Sequence, residues 1–149
     1  IISHAVNSMK TLNKKAAEIA QKYKPNAVTD VTGFGLVGHL IEICNASNVS
    51  AEINFNNIDL LPGTVKFLEQ GIMPGGSKRN LKHAENSTIF NSNLTYNQKL
   101  ITCDAQTSGG LLITLSNRNA RKFIEEFGKK AKIIGEITSK KNNSVSVHL

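Results

Sequence analysis

Apolar residues near the N-terminus recur every three or four positions, the spacing that places them on one face of a helix. They predict an amphipathic helix over residues 4–23, which ends before Pro25 because proline disfavours helical geometry in the residue before it. The same periodicity and its flanking signals predict three more helices: 34–46, a short one between Pro62 and Gly71, and one capped by Asn117 and ending at Gly128.

Strand patterns alternate with these helices. Residues 49–55 alternate apolar and polar side chains, which predicts a strand with one buried face. Further strands are predicted at 27–31 and 111–115, and residues 133–137 and 145–149 are expected to pair as a hairpin. Residues 72–98 are rich in Gly, Asn, Ser and Lys and are predicted to form mainly a loop, with a short helix at most. The pattern predicts an α+β fold, in which a mixed β-sheet has helices packed against it.

Composition narrows the class of protein. Of the 149 residues, 40% are hydrophobic and 19% are charged, as in ordinary globular domains. No apolar run approaches the roughly 20 residues that cross a bilayer. The two cysteines, Cys44 and Cys103, are too few for a disulfide scaffold, so both are predicted to be reduced thiols in a cytoplasmic protein. For Cys103, a buried hydrophobic role is favoured over a catalytic one.

The net charge of +7 raises the alternative of a basic nucleic-acid-binding module. The basic residues are dispersed along the chain, however, and aromatic residues make up only 5% of it. A stacking platform for bases is therefore missing. Solvated basic faces are favoured, and the nucleic-acid module stays as the alternative.

The segment TDVTGFGLVGHL, residues 29–40, contains glycines at the G-x-G-x-x-G spacing of dinucleotide-binding folds. That fingerprint also requires an acid about twenty residues further on, at the tip of the next strand. Glu52 has about that spacing but falls inside the predicted strand. The Rossmann interpretation is therefore disfavoured.

Asp30 argues more strongly against a bare phosphate site. A carboxylate beside a phosphate in a partly dry site costs on the order of several kcal/mol. Mg²⁺ between the two groups reverses the sign, since it takes one or two protein carboxylates and fills its other positions with waters and phosphates. The competing interpretation is that Asp30 caps the helix beginning near Phe34.

Two further segments combine glycine with polar donors. TCDAQTSGGLLITL places Thr107, Ser108, Gly109 and Gly110 directly before a strand, where hydroxyls and glycines let a backbone approach an anion. PGGSKRN, residues 74–80, adds Ser77, Lys78, Arg79 and Asn80. Either segment alone is more typical of a plain turn.

Together, TDVTGFGLVGHL, LPG, GGSKRN and DAQTSGGLL closely resemble the C-terminal half of the selenophosphate synthetases (selenide, water dikinases), from about Met9 onward. A more distant similarity is to the C-terminal domain of aminoimidazole ribonucleotide synthetase and formylglycinamide ribonucleotide synthetase. The resemblance implies that fold, and an enzyme that converts ATP, selenide and water to selenophosphate, AMP and orthophosphate. It also implies a homodimer of the longer enzyme, with neither a membrane nor a nucleic acid as partner.

Carried over residue by residue, the resemblance makes Asp30 a Mg²⁺ ligand. It places ATP against the following residues: Thr32, Gly33, Asn80, Ser108, Gly109 and Gly110. The family's other metal aspartates, its glycine-rich segment and its reactive Cys (or selenocysteine) and Lys belong to an N-terminal domain. Neither cysteine here matches that nucleophile, and Ala105 stands where many relatives carry proline. Residues 1–149 are therefore expected to be a single C-terminal domain of a longer enzyme, with no catalytic residue of its own.

Overall fold

The computed structural model describes the whole chain, Ile1–Leu149. Seven α-helices are present: α1 Ile2–Lys10, α2 Lys14–Lys22, α3 Gly35–Ser47, α4 Thr64–Glu69, α5 Gly75–Ala84, α6 Tyr96–Thr102 and α7 Asn117–Phe127. A 3-10 turn occupies Phe55–Asn57. The six strands are β1 Ala27–Asp30, β2 Val49–Asn54, β3 Thr88–Phe90, β4 Leu111–Thr114, β5 Gly135–Ser139 and β6 Val145–His148. None of the helices is long and apolar enough to cross a membrane.

The strands form two separate sheets. β1 and β4 make an antiparallel pair in which Ala27 lies opposite Thr114 and Asp30 opposite Leu111. The other four strands form a mixed sheet in the order β3-β6-β2-β5, with β6 parallel to both of its neighbours and β5 antiparallel to β2. The predicted α+β class with helices against mixed strands is confirmed, although the sheet is divided in two.

Two hydrophobic clusters hold these layers together. The larger one joins the buried face of α3 (Val37, Leu40, Cys44) to the inward side chains of the four-stranded sheet. The smaller one packs α2 against α7 through Ile19, Ala20 and Phe123. The two-stranded sheet contributes to both clusters through β4, so β1 and the start of α3 have a rigid support.

The single helix predicted over residues 4–23 is wrong, since α1 and α2 are separate. Thr11 adopts an extended conformation, and its hydroxyl donates to the Asn7 carbonyl. The side chain of Asn13 turns away to donate to the Gly109 carbonyl at 3.0 Å. These local side-chain hydrogen bonds compete with helix continuation, and apolar periodicity does not report them.

The predicted hairpin between residues 133–137 and 145–149 is also wrong. β5 and β6 lie on opposite sides of β2 and do not pair with each other. Val145, Ser146 and Val147 are all buried, as suits a strand inside a sheet, whereas β5 is almost wholly exposed, as suits an edge.

Residues 72–98 are mostly regular, so the predicted long loop is wrong as well. They contain α5 and β3 and reach into α6. Helix α5 buries Ser77, Leu81 and Ala84, which are spaced four and three residues apart on one face. The polar residues that suggested a loop lie on the exposed face of the segment.

The helix predicted from Asn117 is present, but its cap is Ser116, whose hydroxyl accepts from the Asn119 N–H.

Candidate functional site

Asp30 is the last residue of β1, and its exposed carboxylate makes no hydrogen bond or ion pair within the chain. Helix α3 begins at Gly35, five residues later, with Phe34 as N-cap and no side-chain capping bond. The helix-cap interpretation of Asp30 is therefore wrong. A charged, solvated carboxylate stands free at the end of the strand.

The loop after Asp30 is joined to the Ser108–Gly110 loop by backbone hydrogen bonds. The Val31 N–H donates to the Gly110 carbonyl and the Gly109 N–H donates back to the Val31 carbonyl, each at 3.0 Å. A Cβ on Gly109 would lie 2.3 Å from the Val31 oxygen, so only glycine allows this approach. The two segments predicted to bind phosphate are thus neighbours in space.

Asn80 ties the loop after Asp30 and the end of α6 to helix α5. Its side-chain NH₂ group donates to the Gly33 carbonyl at 2.8 Å and to the Cys103 carbonyl at 3.1 Å. Both amide hydrogens are therefore used inside the chain. The structure places Asn80 at the predicted site, where its NH₂ group holds the backbone in position. A contact between its Oδ1 and ATP stays a prediction.

The GGSKRN segment begins α5, so it is not the turn that its glycines suggest. Ser77 is buried, and its hydroxyl donates to Asp104 Oδ1 at 2.6 Å and accepts from the Ala105 N–H at 3.3 Å. Gln106 donates to the other Asp104 oxygen at 2.9 Å. The Asp104 carboxylate is thus held internally and positions the start of the second loop.

Several hydrogen-bond donors beside Asp30 have no acceptor in the chain. They are the backbone N–H groups of Gly33, Phe34, Ser108 and Gly110, and the hydroxyls of Thr107 and Ser108. A Cβ on Gly33 or Gly110 would meet no other atom within 4 Å, so a ligand has room at both positions. One exposed carboxylate surrounded by free donors can bind a cation and an anion together.

No group of three or more His, Cys, Asp or Glu side chains is arranged to hold a metal ion. Asp30 is the one carboxylate at the two loops without an internal partner. One carboxylate suits a Mg²⁺ ion that keeps most of its waters and gains phosphate oxygens as ligands. It does not suit a site in which protein groups supply every ligand to the metal.

The strand arrangement excludes a Rossmann unit. β1 and β2 flank α3 in sequence but belong to different sheets, so they do not form a parallel β-α-β unit. Glu52 lies within β2 and pairs with Lys141, whose hydrogen bond lowers the pKa of this carboxyl. The prediction that the glycine segment does not belong to a dinucleotide-binding fold is confirmed.

Both cysteines are free thiols and fully buried, which confirms the buried hydrophobic role predicted for Cys103. Burial raises the pKa of the Cys103 thiol to about 11 and also raises the pKa of Cys44. At pH 7.5 the Cys103 thiol is therefore almost wholly protonated. Neither residue is a competent nucleophile in this fold.

We therefore expect neither cysteine of the folded chain to react with iodoacetamide within minutes at pH 7.5, whereas both should react in denaturant. Mass spectrometry after quenching measures this directly. Rapid modification of Cys103 in native buffer, with the thermal transition intact, would contradict its burial.

Three residues that position the site were missed by sequence reasoning: Asn13, His39 and Asp104. His39 is buried, but it lies on the side of α3 opposite Val37, Leu40 and Cys44, so the apolar periodicity gave no sign of its burial. Asp104 lies in a segment that was recognised, but its partner Ser77 comes from α5, 27 residues away, and this contact could not be predicted from the sequence. For Asn13, the one available signal would have been the break in the helix after α1, had it been recognised in the sequence.

The basic charge is not gathered at these loops. Lys22, Lys132 and Lys141 form ion pairs with Glu126, Asp59 and Glu52, respectively. The remaining basic side chains are spread over the surface of several helices. The nucleic-acid alternative is not favoured.

The model of the family described as AIR synthase related protein, C-terminal domain, matches residues 4–148. Among curated relatives, selenide, water dikinase of Sulfurovum sp. (strain NBC37-1) is 42% identical over 98% of this chain and 43% of its own length. Selenide, water dikinase of Sulfurimonas denitrificans is 40% identical over the same shares. That of Shewanella sp. (strain ANA-3) is 46% identical over 80% of this chain and 33% of its own length. The chain thus spans less than half the length of these relatives. Because the family model covers nearly every residue, the chain belongs to the family of AIR synthase related protein C-terminal domains.

Proposed function

We propose that this chain is the C-terminal domain of a selenide, water dikinase and supplies part of its ATP and Mg²⁺ site. The longer enzyme would convert ATP, selenide and water to selenophosphate, AMP and orthophosphate. The similarity to proteins of that name over 98% of the chain supports the proposal. So does the resemblance of the four glycine-containing segments. A cytoplasmic homodimer remains part of the same expectation.

The observation that carries the proposal is the free carboxylate of Asp30 beside two loops with unused donors. In this arrangement Asp30 would hold Mg²⁺, and the N–H groups of Gly33, Ser108 and Gly110 would donate to phosphate oxygens. Bound Mg²⁺ would supply positive charge against the phosphates. The chain's own residues then fix the polyphosphate and exclude alternative orientations, which is the main requirement of phosphoryl transfer.

The full-length protein tests the proposal. Purified anaerobically, it should form AMP from ATP only when selenide is present, and ³¹P NMR should detect a phosphorus–selenium product. Omission of selenide and omission of Mg²⁺ are the controls. ATP turnover that does not depend on selenide would assign the protein to another activity.

We expect the 149-residue chain alone to fold but not to catalyse. Its clusters give it a core, so it should show a cooperative thermal transition. One carboxylate supplies too few ligands to hold Mg·ATP, so millimolar Mg·ATP should barely shift that transition. Differential scanning calorimetry and an AMP assay measure both parts. Selenide-dependent AMP formation by the isolated chain would contradict this division of labour.

A further inference from the structure

We propose that His39 is a positioning residue that fixes the loop carrying the Mg²⁺ and phosphate contacts, an inference that rests on the function proposed above. His39 lies in the second turn of α3 and is only 7% exposed. Its Nε2 accepts a hydrogen bond from the Thr32 backbone N–H at 3.1 Å. Its Nδ1 lies 3.2 Å from Glu42 Oε2. One imidazole therefore joins the strand-to-helix loop to the helix that follows it.

The tautomer of His39 follows from these contacts. A backbone N–H can only donate, so Nε2 must present its lone pair to Thr32. The proton of the neutral ring is then on Nδ1, where it can be donated to the Glu42 carboxylate. Glu42 is largely exposed and makes no hydrogen bond to the loop, so its part is to orient the ring. The Phe34 ring, 5.6 Å from the imidazole centroid, covers it on the loop side.

The hydrogen bond between Thr32 and His39 holds the loop between Asp30 and Gly33, the two residues that would contact the cation and the phosphates. The residue before it, Val31, is held by Gly109 and Gly110, and the residue after it, Gly33, is held by Asn80. The Thr32 carbonyl accepts from the Gln106 and Gly35 N–H groups, both at 3.0 Å. His39 supplies the partner for the one remaining backbone group of Thr32. Without it, the peptide between Val31 and Thr32 would be held only at its carbonyl, by the Gly109 N–H, and the Asp30 carboxylate and Gly33 N–H lie on either side of that peptide.

Three substitutions separate the role of Nε2 from that of the rest of the ring. His39→Gln carries an amide oxygen at about the position of Nε2, where it can still accept from Thr32. His39→Asn carries its amide at the level of Nδ1, near Glu42 but short of Thr32. His39→Leu keeps much of the volume and has no acceptor. A residue that served only as core filling would make Leu the best tolerated of the three.

In the full-length enzyme, we expect His39→Gln to keep selenide-dependent AMP formation within roughly threefold of wild type, while Asn and Leu lower kcat by tenfold or more. The KM for ATP should change less than kcat, because the loop is displaced and the binding groups are not removed. Equal kcat for the Gln and Leu variants at equal folded fraction would overturn the proposal.

Nuclear magnetic resonance of the 149-residue chain tests the same contact without turnover. With ¹⁵N-labelled histidine, His39 should show protonated Nδ1 and unprotonated Nε2, with the exposed His83 as reference. The Thr32 amide should exchange with deuterium more slowly in wild type and Gln than in Asn and Leu. Protonated Nε2, or equal Thr32 protection in all four proteins, would overturn the positioning role. If these signatures hold while the wild-type full-length protein makes no AMP, it is the proposed function that fails.

Discussion

Replacing Asp30 by Asn should lower selenide-dependent AMP formation by the full-length protein by roughly two to three orders of magnitude. The amide keeps the size of the carboxylate but loses the charge that would hold the cation beside the phosphates. Because the side chain is exposed and has no partner in the chain, folding should be unaffected, within about 0.5 kcal/mol. Steady-state kinetics across a Mg²⁺ titration, together with thermal melts, measure both effects.

Asp59→Asn is the matched control for this substitution. It also removes an exposed carboxylate, but one that pairs with Lys132 on the surface. Surface pairs of this kind contribute little, so activity and melting temperature should stay near wild type. Near-normal turnover of Asp30→Asn at limiting Mg²⁺ would remove the metal role and leave Asp30 as an ordinary surface residue.

The second large effect is expected from Gly109→Val. This substitution should first of all lower the free energy of unfolding, and a loss of activity comes second. The new Cβ would lie 2.3 Å from the Val31 carbonyl oxygen, a backbone atom that cannot move aside cheaply. We expect a loss of about 3 kcal/mol or more in the free energy of unfolding, which corresponds to roughly 6–12 °C in melting temperature. Calorimetry of the chain gives the stability, and activity of the full-length variant must be compared at equal folded fraction.

Gly110→Ala provides the control that separates packing from ligand clearance. No atom lies within 4 Å of a Cβ at this position, so the folded state should accept the methyl group without loss. If phosphates approach this loop, activity should fall while the melting temperature stays constant. A stable Gly109→Val protein with unchanged kinetics would show that the loop neither packs nor binds as we describe.

The periodicity of apolar residues correctly predicted those helices and strands that depend on the local sequence. The strand at 27–31, the helix at 34–46 and the strand at 49–55 are present to within one residue, and the apolar residues of the last two face one core. Strand pairing was not predictable in this way. The choice of β2 as the neighbour of β6, in place of β5, depends on which strand is buried on both faces. That is a property of the assembled sheet.

The candidate site shows the same division. Asp30, Gly33 and Ser108–Gly110 were recognisable because glycine and hydroxyl residues beside a carboxylate suit a metal and a phosphate. Their assembly depends on Asn80 and Asp104, whose partners Gly33, Cys103 and Ser77 are 23 to 47 residues away in the sequence, and on His39, which contacts Thr32 across the start of α3. A single polar residue gives no sign in the sequence of which distant carbonyl or amide it will meet.

The position of β6 inside the four-stranded sheet has a consequence for the order in which the protein is made. β6 separates β3 from β2, yet its residues are translated after every other strand. Until residues 145–148 have emerged from the ribosome, β3 has no strand to pair with and one edge of β2 is unpaired. The nascent chain therefore exposes that edge throughout the synthesis of α6, β4, α7 and β5, a period in which a chaperone could protect it from strand-to-strand aggregation.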